Sequence, residues 1–335
     1  MRAIVNTHYG PPNVLQFTDV AKPAPTDDEI LVRIYAAALN PLDRYVMRGL
    51  PLIRTIPGMR TPTKGLGADL AGRVEAVGKN VKQFQLGDEV FGGKFGGKGL
   101  GTFAEYVCTL ENHLARKPAN LSFEEAAAVP VAAITALQAL RDKGQIQPGQ
   151  KVVVDSGSGG VGTFTVQIAK SFGAEVTAVC SSRNVDKART LGADHVIDYT
   201  RENFTKSGQH YDLIIAANAH HSLFDYLRAL SPGGILVVVG GSFVRIFQTV
   251  LLGPLLSRIG SKKVRFFIAN INPKDLVLLK DLLEAGKIVP VIDKRYPLSD
   301  VAEAVRYLEE GHAQGKIVIT VEHGDGVAPT AIRPE

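Results

Sequence analysis

Before residue 121 the chain alternates short apolar runs with Gly and Pro turns. Residues 30–36 and 72–77 alternate or run apolar as strands do, and helix periodicity is limited to a short piece after Asn40. This predicts a β-rich domain. Near Leu121 the pattern changes. The Ala-rich stretch 124–139 predicts a helix kinked at Pro130. Strands are then predicted at 151–154, 175–180, 195–197, 212–216 and 235–239, with helices at 163–172, 184–191 and 222–230 between them. Val152-Val153-Val154 is continuously apolar, as a strand covered on both faces should be. Repeated β-α units of this kind make a parallel sheet with helices on both sides, so the fold class is α/β. After a loop at 241–262 the pattern predicts strand 264–268, helix 273–285, strand 288–292, helix 299–310 with Ser299 as N-cap, and strand 316–321. The polar tail from His323 is expected to fray.

The first β-α junction carries chemistry. Val154 runs into Asp155-Ser156-Gly157-Ser158-Gly159-Gly160-Val161-Gly162, which satisfies G-x-G-x-x-G. Such a turn lets the backbone approach a pyrophosphate without Cβ atoms in the way, and the following helix directs its free N–H groups at the phosphates. The pattern alone is weak. A buried strand before it, a helix after it and a second strand about 20 residues on make it specific for a Rossmann unit. At the end of that second strand, where an acidic residue would bind the ribose of NAD, stand Cys180-Ser181-Ser182-Arg183-Asn184. The Ser181 hydroxyl and Arg183 guanidinium suit a 2′-phosphate, and the sequence offers no carboxylate there to repel it. NADPH is therefore the expected cofactor.

Composition narrows the class. The chain has 335 residues, about two domains by length, with 45% hydrophobic and 21% charged residues. A formal charge of +5 without a run of Lys and Arg gives no support for nucleic-acid binding. Cys108 and Cys180 are far apart, so a disulfide framework is not indicated; with no apolar signal core or transit stretch at the start, a cytoplasmic protein is expected. The apolar segment 243–259 is interrupted by Arg245, Gln248, Gly253, Pro254 and Arg258, which argues for a lid or pocket helix over stable membrane insertion.

Taken together, Asn40-Pro41-Leu42-Asp43, Gly67-Ala68-Asp69-Leu70-Ala71-Gly72, the Ala-rich 126–140, the turn Ser158-Gly159-Gly160-Val161-Gly162 and Gly192-Ala193-Asp194-His195 resemble the medium-chain dehydrogenase/reductase superfamily, in its zinc-independent quinone oxidoreductase branch. The resemblance covers nearly the whole chain. It implies a GroES-like catalytic domain formed by residues 1–122 and 271–335, with a Rossmann NADP-binding domain at 123–270 inserted. It places Tyr199 beside the 2′-phosphate, and Asn218, Gly240 and Phe243 near the nicotinamide. It also implies a homodimer paired through strand 264–268.

Zinc-dependent members bind the metal through Cys, His and Cys or Asp. Here Asn40 takes the first Cys position, Ala68-Asp69 replace the His-Glu pair, and only Cys108 lies where a four-Cys lobe would fall, beside a Gly-rich loop at 91–101. No zinc is expected. Zinc lowers the pKa of bound water from 15.7 to about 7, roughly 12 kcal/mol of help toward an alkoxide. Without it, alcohol oxidation is not expected. A quinone or an α,β-unsaturated carbonyl is already electrophilic, and hydrogen-bond donors stabilise the oxygen that receives charge. Asn40, Asp43 and Tyr45 fall where relatives place residues near the nicotinamide. Asn40 and Tyr45 are the candidate donors, and Asp43 is a catalytic candidate whose simpler role is to cap the turn after Pro41. The alternatives are an enoyl-thioester reductase, a zinc-free alcohol dehydrogenase-like enzyme, and an NADPH-binding redox sensor without turnover.

Overall fold

The computed structural model describes residues 1–50, 54, 62, 65–94 and 100–323. Positions 95–99 of the predicted Gly-rich loop and the tail 324–335 lie outside them. The first part of the chain forms β1 (Arg2–Val5), β2 (Gln16–Asp19), β3 (Glu29–Ala38), α1 (Pro41–Arg48), β4 (Asp69–Val77), β5 (Glu89–Gly93), β6 (Tyr106–Leu110) and β7 (Leu114–Arg116). β3 is long and mostly buried because it is central: it pairs with β4 and β6. α1 begins where the sequence turns polar, with Pro41 in its first turn and Asn40 and Asp43 closing a capping box. Gly49 ends it at φ 58°, a left-handed conformation that glycine accepts without strain.

The helix expected over 124–139 is two helices, α2 (Phe123–Ala127) and α3 (Pro130–Gln138). Pro130 begins the second helix and does not kink a single one, because its missing N–H costs nothing at a helix start. Ser122 caps α2 and Glu125 closes the box.

There follow β8 (Lys151–Asp155), α4 (Gly160–Ser171), β9 (Glu175–Cys180), α5 (Val185–Thr190), β10 (His195–Asp198), β11 (Tyr211–Ala216), α6 (Leu223–Ala229), β12 (Leu230–Val238), α7 (Phe243–Ile259) and β13 (Lys263–Phe266). These six strands are parallel in the order β10-β9-β8-β11-β12-β13. The order reverses between β8 and β11, so their carboxyl ends open a crevice there. Within the connection 241–262 the apolar segment read as a lid or pocket helix is a helix: α7, started by the Ser242 side chain, spans 17 residues of it.

The chain then returns through α8 (Pro273–Glu284), β14 (Ile292–Pro297), α9 (Val301–Glu309) and β15 (Lys316–Thr320). Two expectations fail here. The strand expected at 288–292 starts only at Ile292, because Ile288 is instead buried in the cluster that holds Leu276, Leu279 and Leu283 of α8. Ser299 does not cap the last helix; it sits in a short 3-10 turn, donates to Asp300, and α9 begins at Val301. β15 lies antiparallel to β3 and extends the first sheet to the order β14-β15-β3-β4-β5-β7. Where the two sheets meet, the core is built from small residues, among them Ala36, Ala71, Ala126, Ala132 and Ala136, packed with Val152, Val154 and Val318. Small side chains let the sheets and the buried α3 approach closely, which fixes the crevice between them.

Candidate active site

The phosphate end is set by backbone geometry. Ser156 leaves β8 at φ 67°, and Gly159 is the N-cap of α4 without a side-chain cap, so the first N–H groups of the helix are open to an anion. The glycines differ in role. A Cβ on Gly162 would fall 2.0 Å from the Ser156 carbonyl oxygen, so it is required for the turn itself. A Cβ on Gly159 would meet nothing nearer than 3.6 Å. A Cβ on Gly160 would lie 3.0 Å from the stem of Lys316, a residue of the other sheet. Ser158, Gly159, Gly160, Val161 and Gly162 therefore stand together at one helix start.

At the ribose end, parallel pairing of β9 with β10 brings Tyr199 beside Ser181; the Tyr199 N–H donates to the Cys180 carbonyl at 3.0 Å. Tyr199 is exposed. Arg183 reaches the His312 carbonyl at 3.4 Å. Asn184, buried, donates to Ser158 Oγ (3.3 Å) and Ser181 Oγ (3.2 Å) and so ties the phosphate turn to the ribose end. Its Oδ1 has no hydrogen-bond partner. One sequence expectation is corrected. A carboxylate does approach: Ser182 Oγ donates to Asp198 Oδ2 at 2.5 Å, because the register places Asp198 opposite Cys180. Its charge is held by the Ser182 and Thr200 hydroxyls, which keep it below the usual carboxylate range, and by Arg201 at 3.4 Å.

At the crevice, a cleft of about 380 Å³ is lined by Arg44, Tyr45, Asn218, Ala219, His220, Gly241, Ser242 and Arg245. α1 carries Tyr45 into it from the first sheet. Arg44 donates to the Tyr45 phenolic oxygen at 2.8 Å, and that hydroxyl faces the Gly241 carbonyl at 3.5 Å. Asn218 and His220 are in contact at 3.1 Å, and Gly240 accepts from the Ala219 N–H at 2.9 Å. Among the described residues that line the cleft, α7 contributes Arg245 of its first turn. The Phe243 side chain lies outside the described residues.

Behind the cleft is a buried charged cluster. Lys316 Nζ donates to Asp69 Oδ2 (3.0 Å), Asn40 Oδ1 (2.7 Å) and the Leu39 carbonyl (2.9 Å). Asp69 also accepts from Asn40 Nδ2 (2.9 Å) and from the Val131 N–H at the start of α3 (2.8 Å). Asn40 is therefore committed to Asp69 and Lys316, and the amide donor expected to meet substrate is engaged inside the protein. Asp43 accepts from the Asn40 N–H (2.7 Å) and the Gly67 N–H (3.2 Å), which is the capping role. Burial, with the Asp69 charge adding to it, pushes its carboxyl up to about 7 against the pull of those N–H groups. Lys316 was not singled out from sequence, and Asp69 only as a replacement at a metal position. The available signal was a lysine opening an otherwise apolar strand, Lys316-Ile317-Val318-Ile319. Among the described residues no group of three His, Cys, Asp or Glu stands together.

A family model described as "Alcohol dehydrogenase GroES-like domain" matches residues 26–119, and one described as "Zinc-binding dehydrogenase" matches 191–319. The chain is 36% identical to the 2-methylene-furan-3-one reductase of Solanum lycopersicum, over 95% of its own length and 79% of the relative's. It is 34% identical to the chloroplastic NADPH-dependent alkenal/one oxidoreductase of Arabidopsis thaliana over 95% and 79%. The quinone oxidoreductase structure from Coxiella burnetii superposes with a TM-score of 0.86 at 29% identity, covering 96% of this chain and 99% of that one. By sequence, sheet order and site, the chain belongs to the medium-chain dehydrogenase/reductase superfamily, in its quinone oxidoreductase branch, and is an oxidoreductase.

Proposed function

We propose that the chain is an NADPH-dependent, zinc-independent reductase of quinones or α,β-unsaturated carbonyls. The observation that carries this is Tyr45, backed by Arg44, facing Gly241 and Asn218 across the cleft at the switch point of the sheet. NADPH, when bound, supplies the hydride. The open N–H groups after Gly159 hold its pyrophosphate, Ser181, Arg183 and Tyr199 its 2′-phosphate, and Asn218 and Gly240 its nicotinamide end. Tyr45 donates a hydrogen bond or the proton to the substrate oxygen, and the Arg44 guanidinium stands beside the oxygen that would then carry charge.

The residues present do not fit a zinc ion. At the positions where zinc-dependent relatives bind metal stand an amide, Asn40, an alanine, Ala68, and Asp69, whose oxygens are taken by Lys316, Asn40 and the Val131 N–H. An ammonium already neutralises the one carboxylate there. This supports an acceptor that needs no Lewis acid.

NADPH consumption by the protein against quinones, alkenals and enoyl thioesters tests the assignment. Turnover is expected with the first two. Turnover restricted to thioesters would move the substrate class, and tight NADPH binding with no turnover would favour a sensor. Tyr45→Phe should lower kcat on the order of 10²-fold with little change in KM; an unchanged kcat removes Tyr45 from the step.

A further inference from the structure

The cleft carries charge that the cofactor does not explain. Arg44 of α1 and Arg245 in the first turn of α7 line it from the two halves of the molecule, and both are half-buried. Each spends a guanidinium nitrogen on a neutral partner: Arg44 on the Tyr45 phenolic oxygen at 2.8 Å, Arg245 on Gln248 Oε1 at 3.1 Å. Among the described residues no carboxylate lines the cleft. Around Arg245 the sequence has no Asp or Glu from residue 226 to residue 274. Asp155, behind the Rossmann wall of the cleft, is buried and accepts from the Tyr226 hydroxyl. Other arginines are neutralised: Arg48, one turn beyond Arg44, holds Glu309 at 2.7 Å, and Arg141 holds Asp275 at 2.7 Å. Withdrawing guanidinium groups from water without a counter-charge is costly, and an anion that enters the cleft offsets that cost.

The phosphates of the cofactor are not that anion. Its pyrophosphate is met by the start of α4 and its 2′-phosphate by Ser181 and Arg183, whereas the cleft lies beside Asn218 and Gly241, at the nicotinamide end. The nicotinamide ring becomes cationic as hydride leaves it. Two guanidinium groups beside it oppose the transfer unless a negative charge is also present. The acceptor is the component left to bring one. Arginine matches the planar geometry of a carboxylate, and a cleft of about 380 Å³ is near the small end for ligand sites, so it suits a compact acceptor.

We propose that the acceptor is a short enone that carries a carboxylate, and that Arg245, helped by Arg44, sets the preference for it by binding that carboxylate. This rests on the reductase reading above. The reduction itself is unchanged: the C=C bond gains the hydride of NADPH and one proton, and the carboxylate is not altered.

The test compares a methyl enone bearing a carboxylate two methylenes beyond its C=C bond with the methyl ester of the same acid. The methylenes insulate the enone, so the pair differs in charge and not in electrophilicity. The parent should favour the acid about tenfold in kcat/KM, mostly through KM. Arg245→Gln should remove most of that ratio and Arg245→Lys should keep part of it. Arg258→Gln, at the other end of α7, should leave the ratio as in the parent. In calorimetry the saturated keto acid should bind the NADP⁺-saturated protein, with Kd about tenfold higher in Arg245→Gln. Equal use of acid and ester by the parent, a ratio unchanged in Arg245→Gln, or a ratio lost equally in Arg258→Gln overturns the proposal while the reductase reading stands. No turnover of either enone rejects the reductase reading, and the proposal with it, even where calorimetry still finds an anion site at Arg245.

Discussion

Asp43 shows how one side chain couples local structure to pH. It accepts two backbone N–H groups from a buried position and its carboxyl titrates near 7 instead of 3.8. Between those values the folded chain keeps a proton that the unfolded chain releases, so stability falls as pH rises through this window and is flat above it. Asp43→Asn removes the titration. The unfolding free energy of the parent relative to this variant should decline from about pH 4 to pH 7 in denaturant titrations; a difference independent of pH refutes it. The variant also loses an acceptor for one of the two N–H groups, a constant offset that leaves the slope intact. Ser181 and Arg183 could be picked out as candidates because the β-α-β pattern that ends in them is local in sequence. Asp198 beside Ser182 and Lys316 beside Asp69 could not, because each depends on a register or a sheet closure that no local pattern carries.

The elements were legible where pattern and packing agree. β8, β9 and α4 follow from an apolar run, a glycine turn and helical spacing within one β-α-β unit. They were misread where tertiary demand overrides local preference: the run 288–292 supplies a core side chain, Ile288, before it supplies a strand, and Ser299 spends its hydroxyl on Asp300. The turn itself makes a contrast that sequence alone cannot. Gly162→Ala places a Cβ 2.0 Å from a backbone oxygen, whereas Gly159 has ordinary φ (−78°) and its Cβ would reach nothing closer than 3.6 Å. Gly162→Ala should therefore lower Tm as well as NADPH affinity. Gly159→Ala should leave Tm within a degree or two, on the order of the scatter of surface changes, while raising the Kd for NADPH. Equal Tm losses in calorimetry would show that the two glycines do not differ in this way.

For the molecule as a whole, the Lys316 cluster is the joint. One ammonium binds β3, through Leu39 and Asn40 just beyond its end, to β4 through Asp69, while its stem lies against Gly160 of the Rossmann turn. Lys316→Met leaves Asp69 as an uncompensated buried charge and should cost about 3–5 kcal/mol in equilibrium unfolding. A loss under about 1 kcal/mol would mean that water or rearrangement replaces the ammonium. The fold class and the two-part organisation could be read from the order of β-rich and β-α segments. This joint could not, since its halves are far apart in the chain.

That distance has a consequence during synthesis. Asn40 and its partner Lys316 are 276 residues apart. At about 5–20 residues per second, a ribosome delivers the lysine roughly a quarter to one minute after the asparagine. Until then β3 lacks its β15 neighbour and Asp69 lacks its cation, and by the time Lys316 is added all six strands of the parallel unit have been made. The nascent first sheet thus waits, incomplete along one edge, for the last strand described here. A ribosome stalled after Phe266 and before Lys316 leaves a chain with every strand of the nucleotide-binding half made and an unsealed partner.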